Sequence, residues 1–336
     1  MSVLARCAAV LALVGLLAAC APEGGRLKLA AEAACGDGAR RSFVIASADD
    51  LREALAAARP GDAIHLLDGD YLGPFQAIVS GMPQLPISLC GSRQARLLGH
   101  GPESGVALRL QADHWVLVGF TLSRANKGLL LDRASHNHLH GLRVAGVGQE
   151  GIRLRNFSSD NLITACEIRD TGLIDPGTGE GVYIGTTVSQ WGQVTGDDRQ
   201  PDRSDRNRVL GCRIGPGVSA EPIDIKEGTS EGEISDNMFD GRGISGENFA
   251  DSWLDLKGNA YLVLNNRGTD APLDGFQVHA RADGWGNGNT FGGNVARVGA
   301  PGYGFRIDTK TQHNRVLCDN QVIHAASGFA NVDCAP

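Results

Sequence analysis

The sequence predicts an all-β protein, a right-handed parallel β-helix with a short N-terminal capping helix. Three observations lead to this fold class. Short strands with apolar residues at alternate positions recur along the chain, a second set of strands led by asparagine interleaves with them, and 46 glycines are available for turns. Two interleaved strand repeats separated by Gly and Asn turns are typical of a solenoid of β-coils.

The strand pattern is clearest at residues 223–226, Ile-Asp-Ile-Lys, and at residues 254–257, Leu-Asp-Leu-Lys. A period of two sends the apolar residues inward and the Asp and Lys residues outward. Because neighbouring coils lie about 4.8 Å apart, equivalent outward positions should form ladders. One predicted ladder contains Asp132, Arg155, Gly185, Lys226, Lys257, His279 and Asp308, and its companion contains Leu130, Arg153, Tyr183, Asp224, Asp255, Gln277 and Arg306.

The first 20 residues have the features of a lipoprotein-type signal peptide. Arg6 supplies the positive charge, residues 8–17 the apolar stretch, and Leu-Ala-Ala-Cys at 17–20 resembles a bacterial lipobox in which Cys20 becomes lipidated. The alternative is an ordinary signal peptide with a chance cysteine. We therefore expect an exported protein, either an envelope lipoprotein (periplasm or outer surface) or a secreted protein. No other apolar run reaches the roughly 18 residues of a membrane span.

After a tether at residues 21–40, we expect a single β-helix domain over residues 41–336. Ser47 is a suitable N-cap for a short helix with apolar residues at helical spacing, and Pro60 ends it. This helix would cover the open end of the solenoid, and the first strand would follow at residues 62–66.

Later in the chain, residues 171–207 break the rhythm as a long excursion that contains one strand at 182–184. The tail of this excursion, 191–206, has no strand pattern and is expected to be a surface loop, as is 281–289. Asparagines at equivalent places should stack in turns and hydrogen-bond neighbouring backbone, rather than form a ligand site. They are Asn161, Asn207, Asn237, Asn265 and Asn294.

Six cysteines remain outside the signal segment, and an even number in an exported chain favours disulfides. Cys166 and Cys212 hold the same place in successive repeats, so a ladder would bring them together. Cys318 with Cys334 would then close the C-terminal end and leave Cys35 with Cys90 at the other. Spacing leaves this connectivity open.

The formal net charge of −7 argues against a nucleic-acid partner. Only five of the 31 basic residues are lysines, and two of them, Lys226 and Lys257, occupy matching places in neighbouring repeats. Two such lysines should lower each other's pKa, while Asp224, Asp255 and Glu221 oppose the effect. A lysine with a lowered pKa can act as a general base. The alternative is a solvated row of ion pairs.

Residues 220–226, Ala-Glu-Pro-Ile-Asp-Ile-Lys, resemble the Ala-Glu-x-Ile-x-x-Lys strand of polysaccharide lyase family six, which includes chondroitinase B and alginate lyases. Residues 51–66 are similar to the N-terminal cap of that family. The resemblance implies a pectate-lyase-like solenoid and β-elimination at uronides, and hence an acidic polysaccharide as partner. We also expect a monomer. It also implies that Lys226 takes the C5 proton and that Glu221 helps to hold a calcium ion that neutralises the uronate carboxylate.

The chain departs from this pattern at two places. Residues 257–259 read Lys-Gly-Asn where the family has Arg-His-Gly, so a lysine would have to serve as the acid. Ser219 stands where an acidic metal ligand is usual, and calcium prefers six or more oxygens, so Glu221 would need Glu180, Asp224 or water. The expected site comprises Lys226, Lys257 and His279 for catalysis, Asp224, Asp255, Arg306, Trp191 and Trp285 for substrate binding, and Glu221 with Glu180 for calcium.

Three other functions are compatible with parts of the pattern. A uronate C5-epimerase begins with the same proton abstraction, and residues 274–279, Asp-Gly-Phe-Gln-Val-His, are similar to an alginate epimerase strand. A hydrolase could use Asp224 and Asp255 at about 5 Å, which fits retaining geometry, but each lies beside a lysine and would stay ionised. A non-catalytic glycan-binding or envelope module is the third alternative.

Overall fold

The computed structural model describes residues 35–36 and 38–336, and these form a right-handed parallel β-helix, as the sequence predicts. Each coil contributes one strand in turn to three sheets, which we name A, B and C, of 11, 10 and 10 strands. Every strand pairs in parallel with the equivalent strand of the next coil.

The strands of each sheet follow one another along the helix axis. Sheet A contains Arg41–Ile45, Asp62–Leu66, Ile87–Cys90, Trp115–Val118, His138–His140, Leu162–Thr164, Arg208–Leu210, Glu233–Ser235, Leu262–Leu264, Thr290–Gly292 and Arg315–Val316. Sheet B contains Gly69–Leu72, Ala95–Leu98, Thr121–Ser123, Arg143–Ala145, Glu167–Arg169, Arg213–Ile214, Met238–Asp240, Arg267–Thr269, Val295–Arg297 and Gln321–Ile323. Sheet C contains Phe75–Ala77, Val106–Leu110, Lys127–Asp132, Ile152–Arg155, Val182–Ile184, Ile223–Ile225, Leu254–Leu256, Phe276–Val278, Tyr303–Ile307 and Gly328–Ala330.

The N-terminal helix spans Ala48–Ala56 and begins as predicted, because the Ser47 hydroxyl accepts a hydrogen bond from the Asp50 amide at 3.1 Å. Its buried leucines, Leu51 and Leu55, pack over the first coil. The expectation that residues 62–66 form the first strand is wrong. Strand Arg41–Ile45 precedes the helix and pairs with Asp62–Leu66, so it forms the edge of the sheet.

The inward ladder of sheet C is the apolar core behind the candidate site. Ile223, Leu254, Phe276 and Phe305 pair in register from coil to coil, and all four are fully buried. The rings of Phe276 and Phe305 stack at 5.1 Å. A strand whose inward residues fill the core holds its outward residues at fixed spacing, so this ladder positions the polar rows on the opposite face.

Buried asparagines stack beside the turns and satisfy backbone groups, as expected. The side-chain oxygen of Asn161 accepts from the Asn137 amide at 3.0 Å, and Asn207 does the same for Asn161. The second stack contains Asn266 in place of the predicted Asn265, which is the residue before it. That stack contains Asn237, Asn266, Asn294 and Asn320.

The excursion at residues 171–207 contains the predicted strand Val182–Ile184, which joins sheet C between Ile152–Arg155 and Ile223–Ile225. Its tail, expected to be loop, holds a short helix at Trp191–Thr195. The 3₁₀ segments are Pro176–Thr178, Val188–Gln190 and Glu247–Phe249.

Two of the expected disulfides are present, Cys35–Cys90 and Cys318–Cys334, with Cα–Cα distances of 6.3 and 5.1 Å. The predicted bridge between Cys166 and Cys212 is wrong. Both are buried free thiols on neighbouring coils. In-register parallel strands keep side chains about 4.8 Å apart with parallel Cβ vectors, whereas a disulfide draws its Cβ atoms to about 3.8 Å.

The predicted signal peptide, with Cys20, and most of the tether at 21–40 lie outside the described residues. Among the helices of the described part, none is long and apolar enough to cross a membrane.

Candidate active site

Four successive coils of sheet C repeat three outward positions, and most of the residues at these positions line one cleft. The first lies two residues before the strand, the second is the middle strand residue, and the third directly follows the strand. The middle residues pair in register, so the three positions form three rows along the helix axis. The triplets are Glu180-Tyr183-Gly185, Glu221-Asp224-Lys226, Ser252-Asp255-Lys257 and Asp274-Gln277-His279.

The cleft has a volume of about 520 Å³ and contains most of the predicted site. Its lining also includes an exposed aromatic ring and two aspartates that the sequence analysis missed. The predicted residues in the lining are Glu180, Glu221, Asp224, Lys226, Asp255, Lys257, His279 and Arg306.

A chain of ion pairs joins the two lysines. Asp224 accepts from Lys226 Nζ through Oδ2 at 2.5 Å and from Lys257 Nζ through Oδ1 at 2.8 Å. Lys257 also contacts Asp255 at 2.5 Å and is only 5% exposed. Burial lowers the pKa of both lysines, but the attraction of Asp224 outweighs burial, and the pKa of each is raised. The predicted mutual lowering is therefore wrong, because a carboxylate separates the two ammonium groups.

Tyr183 lies on the preceding coil and supports Lys226. Lys226 Nζ lies 4.8 Å from the centre of the Tyr183 ring, and the Arg153 guanidinium lies 4.5 Å from the same ring. Burial and the charge of Asp224 raise the pKa of the Tyr183 hydroxyl well above its ordinary value. Tyr183 thus presents a neutral ring that lies close to two cations.

Glu180 and Glu221 occupy stacked positions before their strands, and with Asp224 they form a carboxylate cluster whose ligand oxygens lie within 4.8 Å of one another. Burial, followed by the charge of Asp224, raises the pKa of Glu180 to about 8 and that of Glu221 well above its ordinary value. One buried oxygen of Glu180, Oε2, has no hydrogen-bond partner. Three carboxylates with an unpartnered buried oxygen fit a hard divalent cation such as calcium.

His279 lies beyond Lys257 in the third row. Its Nε2 is 2.9 Å from the Gln277 side-chain oxygen and 3.8 Å from Asp255 Oδ1. Asp255 Oδ1 is buried and has no hydrogen-bond partner. Arg306, the register partner of Gln277 on the next coil, is exposed and also lines the cleft, where it can contact an anionic ligand.

Trp191 and Trp285, which were expected to bind substrate, do not line the cleft. Trp191 is 6% exposed, and its indole N–H donates to the Thr186 carbonyl at 2.9 Å, so it anchors the short helix. Trp285 lies outside the cleft lining and packs near the guanidinium of Arg203, 5.9 Å from its ring centre.

Phe249 takes the place at the cleft that was expected for a tryptophan. Its side chain is 85% exposed and lines the cleft. Asn248 and Phe249 both have positive φ, 52° and 65°, which is rare for side chains of this kind. The Asn248 side chain donates to the Gly177 carbonyl at 3.0 Å and ties the segment to the neighbouring turn. An exposed ring on a constrained backbone suits ligand contact.

Asp251 and Asp274 also belong to the cleft, and both contact Gln277. The triplet spacing is a sequence signal that could have identified Asp274, because Asp-x-x-Gln-x-His at 274–279 repeats the Glu-x-x-Asp-x-Lys of 221–226. Asp251 and Phe249 lie in a connection between coils, and no periodicity marks them.

The chain is similar to an alginate lyase from Paenibacillus sp. str. FPU-7, with 36% sequence identity and a TM-score of 0.81 over 88% of this chain and 100% of that chain. It also shares the fold of pectate lyase Pel9A, at 17% identity and a TM-score of 0.57 over 90% and 84% of the two chains. A rhamnogalacturonan lyase has the same fold, at 16% identity and a TM-score of 0.58 over 79% and 75%. No family model and no curated protein sequence matches the chain.

Proposed function

The chain belongs to the family of the alginate lyase from Paenibacillus sp. str. FPU-7 and is a polysaccharide lyase acting on acidic polysaccharide, and we propose that its substrate is alginate. The observation that carries this proposal is the 36% identity over the full length of that lyase. The cleft of sheet C supports it, because lysine, histidine and arginine side chains converge there.

β-Elimination at a 4-linked uronate requires a base at C5 and an acid at the leaving oxygen. Asp224 raises the pKa of Lys226, so the lysine must first lose a proton to solvent; in its neutral form it takes the C5 proton, the electron pair forms the C4–C5 double bond, and the C4–O4 bond breaks. Lys226 is the better placed of the two lysines, since Lys257 is held between two carboxylates. Tyr183 restricts the Lys226 side chain from the preceding coil.

His279 supplies the proton that the leaving O4 atom needs. Its Nε2 lies 3.8 Å from the Asp255 Oδ1 atom, which has no hydrogen-bond partner. Lys257 keeps its proton beside Asp224 and Asp255 and acts as a fixed positive charge for the sugar carboxylate. This division replaces the expectation that Lys257 is the acid.

Glu180, Glu221 and Asp224 would hold a calcium ion. When bound, calcium would supply positive charge that neutralises the uronate carboxylate and lowers the pKa of Lys226. Without it, Glu180 and Glu221 keep their protons, since burial raises the pKa of both. Phe249 stacks on a sugar ring at the mouth of the cleft, and Arg306 contacts a further uronate carboxylate.

We propose that the protein is exported and works as a monomer, tethered to the membrane only by a lipid on Cys20. The disulfide Cys318–Cys334 supports an oxidising compartment. Metabolic labelling with a radioactive fatty acid, compared between wild type and Cys20→Ser, tests the anchor. Equal labelling of both proteins would rule it out.

The function is tested by incubating the protein with alginate, pectate and glycosaminoglycans while following ultraviolet absorbance from unsaturated uronide ends. Alginate should give the fastest rise. A rise only with pectate or a glycosaminoglycan would reassign the substrate, and altered uronate stereochemistry without cleavage would indicate an epimerase.

A further inference from the structure

We propose that Gln277, held by Asp251 and Asp274, is a positioning residue that sets which ring nitrogen of His279 exchanges a proton with the sugar. The proposal rests on the proposed function, because it concerns the acid of the elimination. In this proposal, Nε2 of His279 carries a hydrogen that it donates to the Gln277 side-chain oxygen, and Nδ1 is the atom that delivers the proton.

The orientation of the Gln277 amide follows from its two partners. Its nitrogen, Nε2, donates to Asp251 Oδ1 at 2.7 Å and to Asp274 Oδ2 at 2.9 Å. Asp274 is 1% exposed, and its other oxygen accepts from the Tyr303 amide at 2.6 Å, so its carboxylate cannot turn away. Carboxylates accept and do not donate, so the NH₂ end must face them. The side-chain oxygen of Gln277 therefore points the other way.

That oxygen lies 2.9 Å from His279 Nε2, and since it can only accept, Nε2 must carry the hydrogen. Asp255 Oδ1 lies 3.8 Å from the same nitrogen, beyond hydrogen-bonding distance, and its negative charge also favours a hydrogen on Nε2. Within the described residues the hydrogen bond of the ring is made through Nε2, which leaves Nδ1 for the substrate.

The arrangement gives hydrogen-bond partners to buried polar groups, which would destabilise the folded protein if they were unpaired. Burial raises the pKa of Asp251, and the hydrogen bond from Gln277 opposes that rise by favouring the carboxylate. Gln277 itself is 4% exposed, yet both ends of its amide are bonded. A buried polar chain in which each member has partners is rigid, and a rigid chain can fix a catalytic ring.

During elimination, the imidazolium gives the proton on Nδ1 to O4 as the C4–O4 bond breaks, while Lys226 takes the proton from C5. The hydrogen on Nε2 stays on that nitrogen and remains hydrogen-bonded to Gln277, so the ring ends neutral. The charged groups that act on His279 are Asp255 at 3.8 Å, with Asp251 and Asp308, whose pKa values respond to its charge.

The tautomer can be measured without activity. In protein labelled with ¹⁵N-histidine, the His279 signals are those lost in His279→Gln. The wild type should show a slowly exchanging Nε2 proton, with Nδ1 unprotonated in the neutral imidazole. Gln277→Met, which keeps the volume but accepts no hydrogen bond, should lose that protected proton. Gln76→Met is the control, because Gln76 occupies the same outward row of sheet C far from the cleft. A proton on Nδ1, or an unchanged Nε2 signal in Gln277→Met, would overturn the proposal.

Kinetics provide the second measurement. Gln277→Met should lower kcat on alginate by about 10²-fold with little change in KM, because a misplaced catalytic group costs roughly this factor. Asp251→Asn, whose amide lets Gln277 turn round, should lower kcat in the same direction and serves if Gln277→Met does not fold. Unchanged kcat in both variants would refute the positioning role. If the wild type releases no unsaturated uronide, the proposed function fails, whereas the tautomer assignment stands or falls by the NMR signals.

Discussion

Replacing Glu180 by glutamine should stabilise the metal-free protein at neutral pH. The side chain is 3% exposed, and burial with the charge of Asp224 raises its pKa to about 8 from an ordinary value of 4.5. The folded protein therefore keeps a proton on Glu180 over a pH range in which the unfolded chain has lost it. Glutamine has the same shape and needs no proton.

The size of the effect follows from the two pKa values. Between pH 4.5 and pH 8 the folded state binds one more proton than the unfolded state, so the free energy of unfolding falls by about 1.4 kcal/mol per pH unit. The stability is thus greatest at low pH and is lost as the pH rises. At pH 7 the accumulated loss is about 3 kcal/mol, and Glu180→Gln should recover most of it.

The assay is urea unfolding in the presence of a chelator at several pH values from 4.5 to 8. The difference between Glu180→Gln and wild type should be small at the acid end and grow with pH. Glu103→Gln, which changes an exposed glutamate, is the matched control and should follow the wild type throughout. With calcium in excess, the wild type should gain stability and Glu180→Gln should gain less. Parallel pH profiles of Glu180→Gln and wild type under chelation would refute the reasoning.

Three further predictions concern the cleft and the core. Lys226→Ala should lower kcat by ~10²–10⁴-fold, measured by uronide absorbance, while calorimetry should show that alginate still binds. Lys310→Ala, which changes an exposed lysine, is the control, and full activity in Lys226→Ala would contradict the prediction. Phe249→Ala should raise KM roughly 2- to 10-fold at constant kcat in steady-state kinetics, because an aromatic contact contributes about 0.5–1.5 kcal/mol, and a loss confined to kcat would exclude the stacking role. Cys166 and Cys212 should react with an alkylating reagent only after unfolding, without reduction, and peptide mapping that finds them bridged would contradict the free thiols.

Much of the site was accessible from the sequence because a β-helix turns a repeat into a spatial row. Once residues 223–226 and 254–257 are aligned, the register between coils follows, and with it the neighbourhood of Lys226, Lys257 and His279. Arg306 followed by the same alignment. Period-two alternation decides which face of the strand each residue takes. The regular spacing between coils then places equivalent residues in a row.

Residues in the connections between coils could not be predicted in this way. Trp191 and Phe249 both lie in irregular segments, and the chain buries the first and exposes the second at the cleft. No periodicity distinguishes them, since the path of a loop depends on hydrogen bonds such as that from Asn248 to Gly177.

The sequence by itself determined the fold and the rows of outward side chains, because strand periodicity and turn residues act over a few neighbours. The tertiary structure decided the electrostatics. Asp224 lies between two ammonium groups and raises the pKa of both lysines, although their spacing alone suggested the opposite. Ionisation depends on atomic distances of a few ångströms and on burial, and both arise only when separate coils stack.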